Sequence, residues 1–164
     1  MIQNTIVTVY GRQKEGKSET IKNVCRDLLN TFPQAILLTH DGQPINYGSD
    51  ILVAIIIGNV KIGIESQGDP GSRSVKEDSL RYLADENFKT VSFQSGLGDC
   101  NIILCASRTG GETVNKVDQI ASVYHYRTLW KSSYYTPDIN HDAVNQLAAD
   151  EIINLINLMM NNQL

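Results

Sequence analysis

Residues 5–32 read T-I-V-T-V-Y-G-R-Q-K-E-G-K-S-E-T-I-K-N-V-C-R-D-L-L-N-T-F, and their pattern sets the fold. Thr5–Tyr10 is β-branched and aromatic throughout, the composition of a buried strand. After the glycines, apolar side chains fall at Ile21, Val24, Cys25, Leu28, Leu29 and Phe32, which is one face of a helix, and Pro33 ends it. Between strand and helix stands Gly11-Arg12-Gln13-Lys14-Glu15-Gly16-Lys17-Ser18. Two glycines five residues apart, followed by lysine and serine, suit an anion cradle. Glycine lets the backbone turn its amides inward, and the helix start adds the positive end of its dipole. Lys17 then reaches the outer phosphates, and the Ser18 hydroxyl suits a Mg²⁺ ion.

At these residues the chain resembles the P-loop NTPase superfamily, through residues 5–32 and more loosely through the alternation of strands and helices beyond them. The resemblance implies that Gly11, Arg12, Gln13, Lys14, Glu15, Gly16, Lys17, Ser18 and Glu19 bind a nucleotide, ATP or GTP, with Mg²⁺.

Ala35–Leu38 is a second short apolar run, leaving through Thr39-His40-Asp41-Gly42. I-L-V-A-I-I-I (51–57), Gly58-Asn59 and V-K-I-G-I (60–64) read as a β-hairpin, about 51–65. Ser74-Val75-Lys76-Glu77 has the spacing of a capping box and predicts a helix opening at Ser74, with Leu80, Leu83 and Ala84 on its face. Residues 101–106 and 126–131 are further strands. A helix follows the first of them through Val114, Val117, Ile120, Ala121 and Tyr124, and a final helix spans about 139–160. The expectation is an α/β protein: a three-layer α/β/α sandwich with a mostly parallel sheet and one antiparallel hairpin, P-loop NTPase-like, in a single domain over 1–164. Ligands of such sheets sit outside the carboxyl ends of the strands, so every strand exit is a candidate site.

The superfamily pairs its loop with an acid at another strand end. Here Glu65-Ser66-Gln67-Gly68 resembles the D-x-x-G of GTPases with Glu for Asp, and Asp69 is the other acid in reach. Either Glu65 or Asp69 is expected near Mg²⁺, with Gln67 or Glu65 near an attacking nucleophile; Ser18 and Glu65 form the expected metal set. Asn115-Lys116-Val117-Asp118 spells the guanine-reading N-K-x-D, but Val114, Val117, Ile120 and Ala121 put it inside a helix, so it is read as helix surface. Arg108, at a strand exit beside Gly110-Gly111, is a candidate for neutralising charge on a transferring phosphoryl group, and Ser107 for sensing it. His40 and Asp41 are candidates for holding an acceptor, and Tyr134 and Tyr135 for flanking a base. The candidate catalytic set is Lys17, Glu65, Asp69, Arg108 and Asp41.

Composition narrows the partners. The 164 residues are 41% apolar and 20% charged, with a formal net charge of -4, and the pI is about 5.3. A mildly acidic domain is a poor match for nucleic acid, whose binding runs on phosphate neutralisation. Cys25, Cys100 and Cys105 form no C-x-x-C pair and suit free thiols in a reducing compartment. No stretch has the length of a membrane span, the first residues lack a basic leader, and the expected location is the cytoplasm. The function expected is Mg²⁺-dependent binding of a nucleoside triphosphate, with transfer of the terminal phosphate to a small-molecule or protein acceptor or its hydrolysis, a kinase-like phosphotransferase being favoured. The alternative is a switch-type, GTPase-like module regulating a protein partner. A third arrangement is an oligomer in which Arg108 or Arg127 acts across an interface.

Overall fold

The computed structural model describes residues 2–93, 96–134 and 140–164. The elements in chain order are β1 (Thr5–Tyr10), α1 (Lys17–Thr31), β2 (Ile36–Thr39), β3 (Leu52–Ile57), β4 (Val60–Glu65), α2 (Arg73–Lys76), α3 (Ser79–Ala84), β5 (Ile102–Ser107), α4 (Glu112–Tyr124), β6 (Arg127–Ser132) and α5 (His141–Met160). The six strands form one sheet in the order β2-β3-β4-β5-β1-β6. β4, β5, β1 and β6 are mutually parallel, and β3 runs antiparallel to both β2 and β4.

Strand alternation builds two cores. From β1, Val7 and Val9 point to one face and Ile6 to the other; from β5, Ile102, Leu104 and Ala106 oppose Ile103 and Cys105. The first face is covered by α1 and α5, which pack on each other and contribute Ile21, Val24, Leu28, Ile152 and Ile156. The second is covered by α3 and α4, through Leu80, Leu83, Val117 and Ile120. Burial of both sheet faces explains why β5 is apolar without alternation in polarity. The result is the expected α/β architecture, mostly parallel with one hairpin around Gly58, whose φ of 60° fits the tight turn.

The strand boundaries fall within a residue of expectation, and two helices differ from it more. The helix expected at Ser74 opens after Ser72 and stops at Lys76, because the Ser74 hydroxyl bonds Ser72 Oγ at 2.8 Å instead of capping, and Asp78 adopts φ 56°. Leu80, Leu83 and Ala84 therefore belong to a separate helix, α3. The last helix begins at His141; Ile139 lies outside the described residues.

Because β2, β4, β5, β1 and β6 share a direction, their carboxyl ends lie along one edge of the sheet. The amino end of the reversed β3 joins them, since Leu52 pairs with Glu65 and Val53 with Thr39. The loops after residues 10, 39, 65, 107 and 132, and the segment entering β3, thus meet on one rim.

Candidate functional site

The loop between β1 and α1 is shaped by two left-handed residues, Lys14 at φ 61° and Gly16 at φ 74°. The φ of Gly16 suits glycine, and a Cβ there would have to displace the side-chain amide of Asn145 on α5, whose Oδ1 would lie 2.2 Å away. Gly16 is also the N-cap of α1, and as a glycine it offers the first turn no capping side chain. The amides at this helix start are left pointing outward with the dipole behind them, which is an anion-binding arrangement.

Lys17 is 7% exposed and donates to the carbonyls of Gly11 at 3.1 Å and Arg12 at 2.6 Å. Burial lowers its pKa, Asp69 and Glu15 act to raise it, and Arg108 acts to lower it. A buried ammonium whose hydrogen-bond partners are neutral carbonyls gains from an anion set down beside it. Glu15 folds back over the loop, accepting from the Arg12 amide at 2.6 Å and the Ser133 hydroxyl at 3.1 Å, which ties the loop to the exit of β6.

These residues open onto a cleft of ≈ 470 Å³. Gln13 through Glu19 form one wall, and Asp50, Ser66, Gln67, Gly68 and Asp69 face them. Its size is within the range of small-molecule sites, roughly 300–1,000 Å³. Gly68 sits so close to the end of β5 that a Cβ would lie 2.4 Å from the Ala106 carbonyl carbon. Only a residue without a side chain lets this loop lie flat across the strand end.

Ser18 finds an acid in Asp50. The Ser18 hydroxyl donates to Asp50 Oδ1 at 2.9 Å, and Ser66 Oγ bonds the same oxygen at 3.0 Å while accepting from the Ile51 amide at 2.8 Å. Mg²⁺ characteristically takes one or two carboxylates together with phosphate oxygens and waters. A hydroxyl and a carboxylate side by side on an open cleft fit that sparse set. Among the described residues no group of three or more His, Cys, Asp or Glu gathers as an all-protein metal cage.

Glu65 is held elsewhere. Its carboxylate is fully buried and takes a two-pronged bond from Arg73, 2.9 Å from Nη2 and 3.3 Å from Nε, with the Gln67 amide at 3.0 Å. Burial pushes its pKa up, against the pull of Arg73 and the Gln67 amide. It does not line the cleft. The strand order gives the reason: β5 lies between β4 and β1, so Glu65 stands two strand spacings, roughly 10 Å, from the loop-bearing strand. The expected pairing of Ser18 with Glu65 is thus replaced in this geometry by Ser18 with Asp50.

Asp69 does line the cleft, and pairs with Arg108 Nε at 2.8 Å. Arg108 is outside the wall itself. Ser107 is turned inward, bonding the Arg108 carbonyl and the Thr113 hydroxyl at 3.0 Å each, and is fully buried, so it faces the start of α4 and not the cleft. Arg12 is exposed and contributes its backbone. Asp41 is exposed; its carboxylate accepts from the Gln43 amide, which holds its pKa down. It lines a smaller neighbouring recess that also contains Asp50.

Asn115-Lys116-Val117-Asp118 lies within α4, with Val117 in the core and Lys116 bound to Asp78 at 2.5 Å. Tyr134 donates to Glu151 at 2.8 Å under the Lys131 ammonium, and Tyr135 lies outside the described residues. No described helix is long and apolar enough to cross a membrane.

Asp50 is the residue that sequence reasoning missed. It stands in a polar loop, Gly48-Ser49-Asp50, before a strand, where an acid reads as an ordinary turn residue. Only the reversal of β3 brings it to the rim. No family model, curated protein or solved structure matches the chain.

Proposed function

We propose that the protein binds a nucleoside triphosphate with Mg²⁺ at the 11–19 loop and transfers the terminal phosphate to an acceptor, with hydrolysis as the reaction when no acceptor is bound. The observation that carries this reading is the uncapped start of α1 beside the buried Lys17, facing Asp50 and Ser18 across a cleft of ≈ 470 Å³. The loop amides and Lys17 would bind the phosphates, and Ser18 and Asp50 would hold Mg²⁺, which when bound supplies positive charge against the phosphate oxygens. Lys17, the helix dipole and Arg108 neutralise charge, while the rigid strand ends fix position. Transfer is favoured over a pure switch because a second recess, sharing Asp50, adjoins the phosphate cleft.

The regulatory reading is supported by a different observation. The Asp69–Arg108 pair joins the 66–72 loop to the exit of β5, and a triphosphate beside Lys17 would compete for Arg108 and rearrange that contact. Thermal denaturation with ATP or GTP, with and without Mg²⁺, tests the common core: a nucleotide that binds only the folded state must raise Tm. No rise with either nucleotide would refute the site, and Lys17→Ala is expected to remove the rise. Release of phosphate or diphosphate then separates transfer and hydrolysis from a module that binds without turnover.

A further inference from the structure

The rim of the sheet carries a second recess beside the phosphate cleft. Its floor is the start of β3, and its walls are the segment after β2, with Asp41, Gln43, Asn46 and Ser49 turned toward it. Asp50 lines both hollows, so they share a wall. The volume is ≈ 100 Å³, room for a fragment of a few heavy atoms at about 30 Å³ per water-sized group. The recess opens to solvent, so the remainder of a larger molecule can extend outward.

Asp41 and Asp50 contribute carboxylates to its lining, and His40 an imidazole whose Nδ1 lies 3.2 Å from the Leu52 carbonyl oxygen; among the described residues no lysine or arginine lines it. Arg73 acts on both acids only through space, its guanidinium being taken by Glu65 in the two-pronged pair. A phosphomonoester carries about -1.5 to -2 charges and is ordinarily held by Arg or Lys. Beside the Asp41 carboxylate, with neither in the lining and with Asp50 engaged by Mg²⁺, it would meet repulsion and find no such partner. Hydroxyl and ammonium groups donate to carboxylates, and the Gln43 and Asn46 amides both donate and accept.

We propose that this recess binds the phosphate acceptor, and that the acceptor is an alcohol that is uncharged or carries an ammonium group, not a compound already phosphorylated. The assignment rests on the phosphotransferase reading. In the transfer, the bond from the terminal phosphorus to its bridging oxygen breaks and that oxygen leaves on the nucleoside diphosphate. A bond forms from the acceptor hydroxyl oxygen to phosphorus, and the hydroxyl proton passes to water.

The test measures diphosphate formation by the full chain with Mg²⁺ and triphosphate, alone and with glycerol, ethanolamine or uridine, then with the phosphate ester of each. At least one unphosphorylated alcohol is expected to raise turnover above the basal rate by roughly tenfold and to be recovered as its phosphate ester, its phosphorylated counterpart working at about a tenth of that or less. A preference for the phosphorylated member, or no stimulation by any of the three alcohols over an intact basal rate, overturns the acceptor assignment and leaves the nucleotide site standing. Loss of both basal turnover and nucleotide-induced stabilisation overturns the underlying reading instead. Asp41→Lys is expected to narrow or invert the preference, and an unchanged preference refutes the charge argument. Gln43→Trp, which fills the recess, is expected to abolish stimulation while basal hydrolysis persists; stimulation that survives it places the acceptor elsewhere.

Discussion

Replacing Arg73 by alanine separates a structural role for Glu65 from a catalytic one. In the native fold the Glu65 carboxylate is fully buried, and Arg73 supplies both prongs of its countercharge, with its own side chain 19% exposed. Arg73→Ala leaves a carboxylate in the interior with the neutral Gln67 amide, at 3.0 Å, and the Ser79 hydroxyl as donors beside it. Removing one partner of a buried pair costs about 3–5 kcal/mol. For a domain of this length each kcal/mol moves Tm by roughly 2–4 °C, so a loss of roughly 6–20 °C is expected. The pH dependence follows from the direction of the shift. Burial already raises the Glu65 carboxyl, so the folded state binds its proton more tightly than the unfolded state. The contribution of this group is therefore most favourable below the ordinary carboxylate value of about 4.3 and is lost as pH rises through the folded value. Without Arg73 the folded value rises further, so the deficit against the native protein should be largest at neutral pH and shrink toward pH 5. Adding Glu65→Gln to Arg73→Ala should recover part of the loss, since a neutral amide replaces the stranded charge. Thermal melts from pH 5 to pH 8, with and without Mg-ATP, give all of these quantities. A neutral-pH deficit below about 1 kcal/mol, of the order of an exposed pair, or one that does not diminish on acidification, would refute the reasoning. The nucleotide-induced rise in Tm should survive in Glu65→Gln, because Glu65 does not face the cleft.

Asp50→Ala should weaken Mg²⁺-dependent nucleotide binding by roughly tenfold, about 1.4 kcal/mol, and leave binding in EDTA nearly unchanged; calorimetric titration under both conditions reads the difference. Gly68→Ala forces a Cβ to within 2.4 Å of the Ala106 backbone, so the loop must lift, at a cost of about 1–3 kcal/mol seen in chemical denaturation together with weaker nucleotide binding. Asn115→Ala and Asp118→Ala should leave any ATP or GTP preference unchanged, whereas Val117→Ala should cost about 2 kcal/mol in stability, because only Val117 of the three is in the core. Burial pushes the Cys25 thiol up to about 11 and those of Cys100 and Cys105 to about 12, so a thiolate-specific reagent at pH 8 should label none of the three until the protein is denatured.

The sequence by itself determined most of the elements and the place of the glycine-bounded loop between β1 and α1. Strand residues 5–10, the helical face from Ile21 to Leu29 and the Gly58-Asn59 turn each depend on neighbours a few residues away, so local periodicity and turn chemistry suffice to read them. The helical placement of Asn115-Lys116-Val117-Asp118 was legible for the same reason. The partners of the loop were not. Which acid stands beside Ser18 depends on strand order, and strand order is fixed by which apolar faces pack across the whole sheet, a long-range matter with no trace in adjacent residues. With β5 inserted between β4 and β1, Glu65 is carried away from the loop and meets Arg73, while the reversed β3 delivers Asp50 to Ser18 at 2.9 Å. Residue spacing placed the glycine-bounded loop between strand and helix; the tertiary fold decided which carboxylates stand beside it and which side chains line the neighbouring recess.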